Sequence, residues 1–110
     1  KIDVSAESYL NYILSGTDRN GSVSGEDPTV TVKKGDKIIF DVDASRHPFY
    51  IKTKFSRGGG DQVTTGIISG IPGTQNGKIS WNTKGVSSGK YYYVCSPHAS
   101  LGMGGTIIVE

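Results

Sequence analysis

The sequence predicts an all-β domain, a Greek-key β-sandwich of about seven or eight strands, on three observations. Thr, Val, Ile and Tyr, which favour strands, are plentiful, whereas Leu and Ala are scarce. Short segments in which apolar and polar residues alternate recur along the chain. Turns rich in glycine separate these segments, and the 110 residues include 16 glycines. Repeated short strands with such turns are typical of a two-sheet sandwich.

Length and charge limit the organisation and the partners of the chain. With 110 residues it should form a single domain over residues 1–110. A net charge of +2 is too small to indicate a nucleic acid or an anionic membrane as partner. No apolar run approaches the roughly 18 residues of a membrane span. We therefore predict a domain with its own core, no nucleic-acid partner and no membrane span.

The N-terminal part of the chain predicts two short strands and a long loop. Residues 1–8 should form an edge strand around Ile2 and Val4. Residues 9–14 are predicted as a strand because the turn cluster Ser15-Gly16 follows at once. Residues 17–27 are polar and rich in glycine, which predicts a loop, with a plain turn at Asp18-Arg19-Asn20-Gly21.

Apolar and polar residues alternate more clearly in the middle of the chain. Residues 29–33 should turn Val30 and Val32 inward, and residues 37–42 should turn Ile38, Phe40 and Val42 inward. The short turn Lys34-Gly35-Asp36 predicts a hairpin or a sandwich corner between them. Further strands are predicted at residues 49–53, 63–68, 78–81, 90–94 and 106–110, with a turn at 69–73.

One stretch near the C-terminus, residues 91–105, holds most of the side chains that could bind a metal. It holds the only cysteine, Cys95, the only methionine, Met103, and one of the two histidines, His98. The other histidine is His47. Two histidines, one cysteine and a weak axial methionine form the donor set of blue-copper electron-transfer sites. These four residues are therefore the predicted metal ligands, and copper is the predicted metal.

The spacing of these donors suits a rigid site. A strand that ends at Val94 would deliver Cys95 at its tip, and Pro97 would stiffen a tight turn that aims His98 at the same point. Small or flexible residues then let the chain bring Met103 back to the same point from the other side, while His47 must come from a remote strand. A site clamped between two strands changes little between Cu(I) and Cu(II), which favours fast electron transfer.

The pattern Cys-x2-His-x4-Met, with a histidine 48 positions before the cysteine, resembles the cupredoxins. It is closest to the plastocyanin, pseudoazurin and halocyanin-like branch. The resemblance implies one copper ion per chain, held by His47, Cys95, His98 and axial Met103. It also implies a one-electron carrier that exchanges electrons through His98, with Pro97, Ala99, Ser100 and Leu101 as an apolar rim for redox protein partners.

Other interpretations of the same residues stay open. Cys95 could be a buried structural cysteine, with a packed methionine and two surface histidines. Zinc is the main competing metal, although methionine is a poor zinc ligand and two cysteines are more usual. A Cys–His catalytic pair is a further alternative, but no motif around Cys95 resembles that of a cysteine hydrolase.

The chain departs from the family pattern at Pro48, where related proteins usually carry Asn. Neither Pro48 nor Pro97 has an N–H to donate, so we expect the sulfur to lack backbone donors. This departure also opens an alternative to axial Met103, in which the axial bond is long or water takes its place. An open copper position predicts the alternative function, a redox reaction with nitric oxide or nitrite. Copper storage or delivery is a third class, which would need a labile site.

The single cysteine also bears on location. It excludes an internal disulfide, and a free exposed thiol in an oxidising compartment would be a liability that metal ligation removes. The chain begins at Lys1 without a signal peptide. We expect an extracytoplasmic protein, periplasmic, extracellular or membrane-attached, whose targeting segment is absent from this chain.

Overall fold

The described residues form ten strands and one short helix. The computed structural model describes residues 1–63, 66–70 and 73–110. The strands are β1 Ile2–Ser5, β2 Ile13–Asp18, β3 Gly21–Glu26, β4 Val30–Val32, β5 Lys37–Asp43, β6 Phe49–Lys52, β7 Ile67–Ser69, β8 Asn76–Asn82, β9 Gly89–Cys95 and β10 Gly104–Val109. A 3-10 helix covers Ser96–Leu101, and no helix in the described ranges is long and apolar enough to cross a membrane.

The strands build two sheets. The larger has the order β3-β2-β1-β5-β8-β7 and the smaller has the order β4-β10-β9-β6. The pairs β1–β5 and β4–β10 are parallel, and the other described pairs are antiparallel. The chain moves from the smaller sheet to the larger between β4 and β5, so the turn at residues 34–36 is a corner rather than a hairpin. The predicted all-β sandwich is confirmed.

The core lies between the sheets and is centred on aromatic rings. Phe40 of the larger sheet lies 5.0 Å from Phe49 of the smaller sheet, measured between ring centroids. Phe49 in turn stacks on Tyr93 at 5.8 Å. All three side chains are fully buried, and burial of each contributes roughly 2–3 kcal/mol. Alternation placed the core residues of β5 and β8 correctly, and these are Ile38, Phe40, Val42, Ile79 and Trp81.

Two predictions for the N-terminal region are wrong. β1 is an interior strand, because β2 pairs with one of its edges and β5 with the other. Residues 17–27 are mostly strand, because β2 and β3 form a hairpin around Arg19 and Asn20. Val23 is the buried residue of β3, and the small polar residues around it face solvent. The sequence of the hairpin therefore shows little alternation of apolar and polar residues, although its turn was predicted correctly.

The strand predicted at residues 9–14 begins only at Ile13. Residues 6–12 instead form an irregular connection between β1 and β2, here called the 6–12 connection. It is fixed at its end, where the backbone N–H of Tyr12 donates to Asp27 Oδ1 and the N–H of Asp27 donates to the Tyr12 carbonyl, both at 2.8 Å. These bonds replace the strand pairing that Tyr12 lacks.

Two further predictions fall partly outside the described residues. The strand predicted at 63–68 includes residues 64 and 65, and the turn predicted at 69–73 includes residues 71 and 72. The described part of this region contains β7, Ile67–Ser69, which pairs with β8.

Gly104 should be intolerant of a side chain. It opens β10 directly after Met103, its φ is +151°, and a Cβ would collide with the Tyr93 carbonyl and lie 3.0 Å from a Phe55 ring carbon. We expect Gly104→Ala to lower the free energy of unfolding by roughly 2–4 kcal/mol, since backbone strain and overlap add. Urea unfolding measures this. Gly85→Ala is the matched control, because no atom lies within 4 Å of its added Cβ; equal losses in the two variants would contradict the packing argument.

Candidate metal centre

Strand pairing brings the two remote donors together. Phe49 of β6 lies opposite Cys95, the last residue of β9. His47 precedes Phe49 by two residues, so it reaches the same end of the sheet. The Ser96 N–H donates to the Pro48 carbonyl at 3.3 Å and extends this contact beyond the strands. The structure brings His47 to Cys95 from a remote part of the chain, as predicted, but His47 lies two residues before β6 and not in a strand.

The ligand loop, residues 95–103, closes on itself. Pro97 stands in the first turn of the 3-10 helix, which ends at Gly102 with φ 86°. The Met103 N–H donates to the His98 carbonyl at 3.3 Å, and the Cys95 N–H donates to the Met103 carbonyl at 3.1 Å. The predicted tight turn is therefore a short helix, whose closure returns Met103 to Cys95.

A buried lysine supports the loop from outside. Lys52 is fully buried, and its ammonium group donates to the Ser56 carbonyl at 2.9 Å and to the Gly58 carbonyl. The segment that it holds, residues 53–61, reaches the ligand loop, where the Gly58 N–H donates to the Ser96 carbonyl at 3.2 Å. Ser96 is thus held through both its backbone N–H and its carbonyl.

Three predicted donors converge on one point. The Cys95 sulfur lies 3.3 Å from Nδ1 of His98 and 3.6 Å from Nδ1 of His47. Donor atoms of all three residues lie within 4.8 Å of one another. Cys95 is fully buried, while the two histidines are partly exposed. Two imidazoles and one thiolate around one point are the equatorial set of a blue-copper site.

Met103 completes the set of donor types. It is fully buried and belongs to the hydrophobic core, as does Cys95. A thioether and a thiolate are soft ligands that suit copper, and zinc sites rarely use methionine. The chemistry of the residues present therefore fits copper better than zinc.

Burial sets the protonation of the donors. It raises the pKa of the Cys95 thiol, against the opposing effects of the His98 backbone N–H and the Tyr12 hydroxyl. Burial, followed by the neighbouring His98, lowers the pKa of His47. Metal binding requires a neutral imidazole and a thiolate. His47 is therefore ready to bind, whereas the thiol must lose its proton to the solvent when metal enters.

The expectation that the sulfur lacks backbone donors holds for Pro48 and Pro97, which have no N–H, but does not extend to His98, whose backbone N–H lowers the pKa of the Cys95 thiol. The join between the His47 segment and the ligand loop is also maintained, because Ser96 donates to Pro48 through the backbone. Proline removes a donor N–H but keeps its carbonyl as an acceptor.

Sequence reasoning missed the 6–12 connection, which contacts both histidines. The Tyr12 hydroxyl donates towards the carbonyls of His47 at 2.9 Å and Pro48 at 3.1 Å. The Tyr9 ring lies 5.8 Å from the His98 ring. The aromatic residues in this segment were visible, but nothing in their spacing indicated contact with residues 35 or more positions away.

The predicted apolar rim around His98 needs one correction. Pro97, Ser100 and Leu101 are exposed, but Ala99 is buried within the ligand loop. In the 3-10 helix Ala99 points into the protein, so it cannot line the surface. Tyr9 is 58% exposed beside His98 and adds an aromatic ring at this position.

Comparisons with known proteins define the class. The fold is that of the cupredoxins. Rusticyanin, described as a copper protein, matches with a TM-score of 0.60 and 22% identity over 99% of this chain and 76% of that one. Reduced rusticyanin gives 0.58 and 23% over 99% and 77%, and rusticyanin from Thiobacillus ferrooxidans gives 0.56 and 21% over 99% and 75%.

The family is shown by sequence. The model of the copper-binding proteins of the plastocyanin/azurin family matches residues 13–110. The chain belongs to this family, and His47, Cys95, His98 and Met103 are positioned as a type 1 copper site. No curated protein sequence matches the chain. Copper as cofactor, predicted from the donor types, is confirmed.

The carboxylate of Asp27 should make stability depend on pH. Burial raises its pKa from 3.8 to about 6, although the N–H groups of Tyr12 and Gly104 oppose the shift. The folded protein holds this proton more tightly than the unfolded chain does. The protonated carboxyl therefore contributes to the free energy of unfolding below pH 3.8, and this contribution is lost as the pH rises through 6.

We therefore expect metal-free Asp27→Asn to gain stability relative to the parent protein between pH 4 and pH 7, by about 1 kcal/mol after allowance for solvent screening. Chemical unfolding of both proteins across this range measures the difference. A stability difference that does not change with pH would show that Asp27 titrates alike in the folded and unfolded states.

Proposed function

We propose that the protein is a type 1 copper one-electron carrier with one copper ion per chain. His47, Cys95 and His98 would be the equatorial ligands and Met103 the axial ligand. The observation that carries the proposal is the convergence of three donors within 4.8 Å. The family match supports the metal, and a cupredoxin site of this type supports electron transfer.

Bound copper would supply the Cu(I)/Cu(II) couple, and the chain's residues would keep its surroundings constant. Backbone hydrogen bonds hold each donor: Cys95 to the Met103 carbonyl, Met103 to the His98 carbonyl, and His47 to the Ala44 carbonyl. These bonds are independent of the metal's charge. A donor set fixed in this way needs little rearrangement on gain or loss of an electron.

His98 is the proposed point of electron exchange. Its imidazole is partly exposed on the ligand loop and lies next to exposed Pro97, Leu101 and Tyr9. A small, weakly polar surface suits brief encounters with redox protein partners, which use small interfaces. The protein would therefore pass electrons through this edge without a long-lived complex.

The burial of Met103 favours the carrier over the small-molecule alternative. A reaction with nitric oxide or nitrite would need an open copper position, whereas a fully buried Met103, whose backbone is bonded to Cys95 and His98, would be available as the axial ligand. The buried thiol also suits an extracytoplasmic location, since copper would protect it from oxidation.

Substitution of the thiolate tests the assignment. Cys95→Ser should bind Cu(II) without the intense visible band, because that band arises from charge transfer between thiolate sulfur and copper. Titration of both metal-free proteins with Cu(II), followed by visible absorption, measures this. Gly85→Ala serves as a control that leaves the site untouched; a Cys95→Ser variant with the band at full strength would refute the site.

A further inference from the structure

Tyr12 is held beside the site by bonds outside both sheets. Its side chain is fully buried, and its backbone is paired with Asp27 through two bonds of 2.8 Å. Its ring meets Phe49 edge-on at 5.3 Å and His47 at 6.5 Å. The backbone anchor and the ring contacts leave the hydroxyl little freedom to move away from the donors.

The hydroxyl joins the segments that carry the donors. It lies 2.9 Å from the His47 carbonyl and 3.1 Å from the Pro48 carbonyl. The Pro48 carbonyl also accepts the Ser96 N–H at 3.3 Å. One carbonyl therefore connects the 6–12 connection, the His47 segment and the ligand loop.

We propose that Tyr12 is a positioning residue of the copper site, whose hydroxyl fixes the His47–Pro48 backbone and, through the Pro48 carbonyl, its join to the ligand loop. This inference rests on the proposed type 1 site. Loss of the hydroxyl should release the backbone on either side of His47 and loosen its contact with Ser96.

The test is Tyr12→Phe, which removes one oxygen and keeps the buried ring. One net hydrogen bond corresponds to about a fivefold change in an equilibrium, and that factor converts to about 40 mV for a one-electron couple. Because the hydroxyl holds the backbone that carries one ligand, we expect the reduction potential to shift by up to about this amount, measured by voltammetry at one pH.

Tyr93→Phe is the matched control. The Tyr93 side chain is also fully buried, and its hydroxyl donates to a backbone carbonyl, that of Pro28, at 2.6 Å. No described contact joins this hydroxyl to a ligand residue, so the potential of Tyr93→Phe should stay unchanged. An unchanged potential in Tyr12→Phe, or equal shifts in both variants, would overturn the positioning of the copper ligands by Tyr12.

A second measurement needs no copper. In the metal-free protein the Ser96 amide is protected by its bond to the Pro48 carbonyl, which Tyr12 also holds. We expect hydrogen exchange at Ser96 to be faster in Tyr12→Phe than in Tyr93→Phe. Equal rates would overturn the positioning role.

These two measurements also separate this inference from the proposed function. If the parent protein bound copper without a thiolate band, the proposed function would fail, and the exchange rates of the metal-free variants would still decide the positioning role. If the band is present and the potential of Tyr12→Phe does not move, the proposed function stands and the inference fails.

Discussion

The antiparallel pairing of β6 with β9 is the contact on which the metal centre depends. It places Phe49 opposite Cys95, and so brings His47 to the end of the strand that delivers the sulfur. A shift of one residue would move every side chain of a strand to the opposite face. The same shift would turn the Cys95 sulfur away from the two histidines. The buried cluster of Phe40, Phe49 and Tyr93 opposes such a shift, because these rings pack against one another in the core and so fix the register.

Stability and site chemistry are supplied by different parts of the molecule. The two sheets enclose a continuous apolar core, so we expect the fold to form without metal, unlike a zinc finger. In the metal-free protein, burial favours a protonated thiol on Cys95 and a neutral ring on His47. Both groups are then uncharged, which lowers the cost of burying them together. We therefore expect the protein to remain folded before it binds metal.

The sequence was most informative where residue types are rare or alternate strictly. One cysteine, one methionine and two histidines allowed a single complete copper set, and three of its donors meet in the structure. Strict alternation identified the inward faces of β5 and β8. Small polar residues concealed the β2–β3 hairpin, because one apolar residue in six does not establish a period.

The contacts between residues far apart in the sequence could not be predicted from it, for a physical reason. Tyr12 meets His47 across 35 positions, a distance that loop closure and sheet order set and that no local pattern encodes. Lys52 follows the buried Ile51 in a strand, so alternation predicts an exposed charge, yet residues 53–61 fold over it and satisfy its ammonium group. The backbone N–H of His98 lowers the pKa of the Cys95 thiol. This effect likewise depends on the 3-10 helix, where the sequence predicted only a tight turn.

The central claim is that the chain builds the donor geometry before copper arrives. Crystal structures of the metal-free, Cu(I) and Cu(II) forms of the same protein test this most directly. The account predicts that the Cys95 sulfur and the Nδ1 atoms of His47 and His98 keep their mutual positions in all three forms, with sulfur of Met103 on the axial side. A metal-free structure in which a histidine has turned away, or in which the ligand loop has refolded, would contradict it.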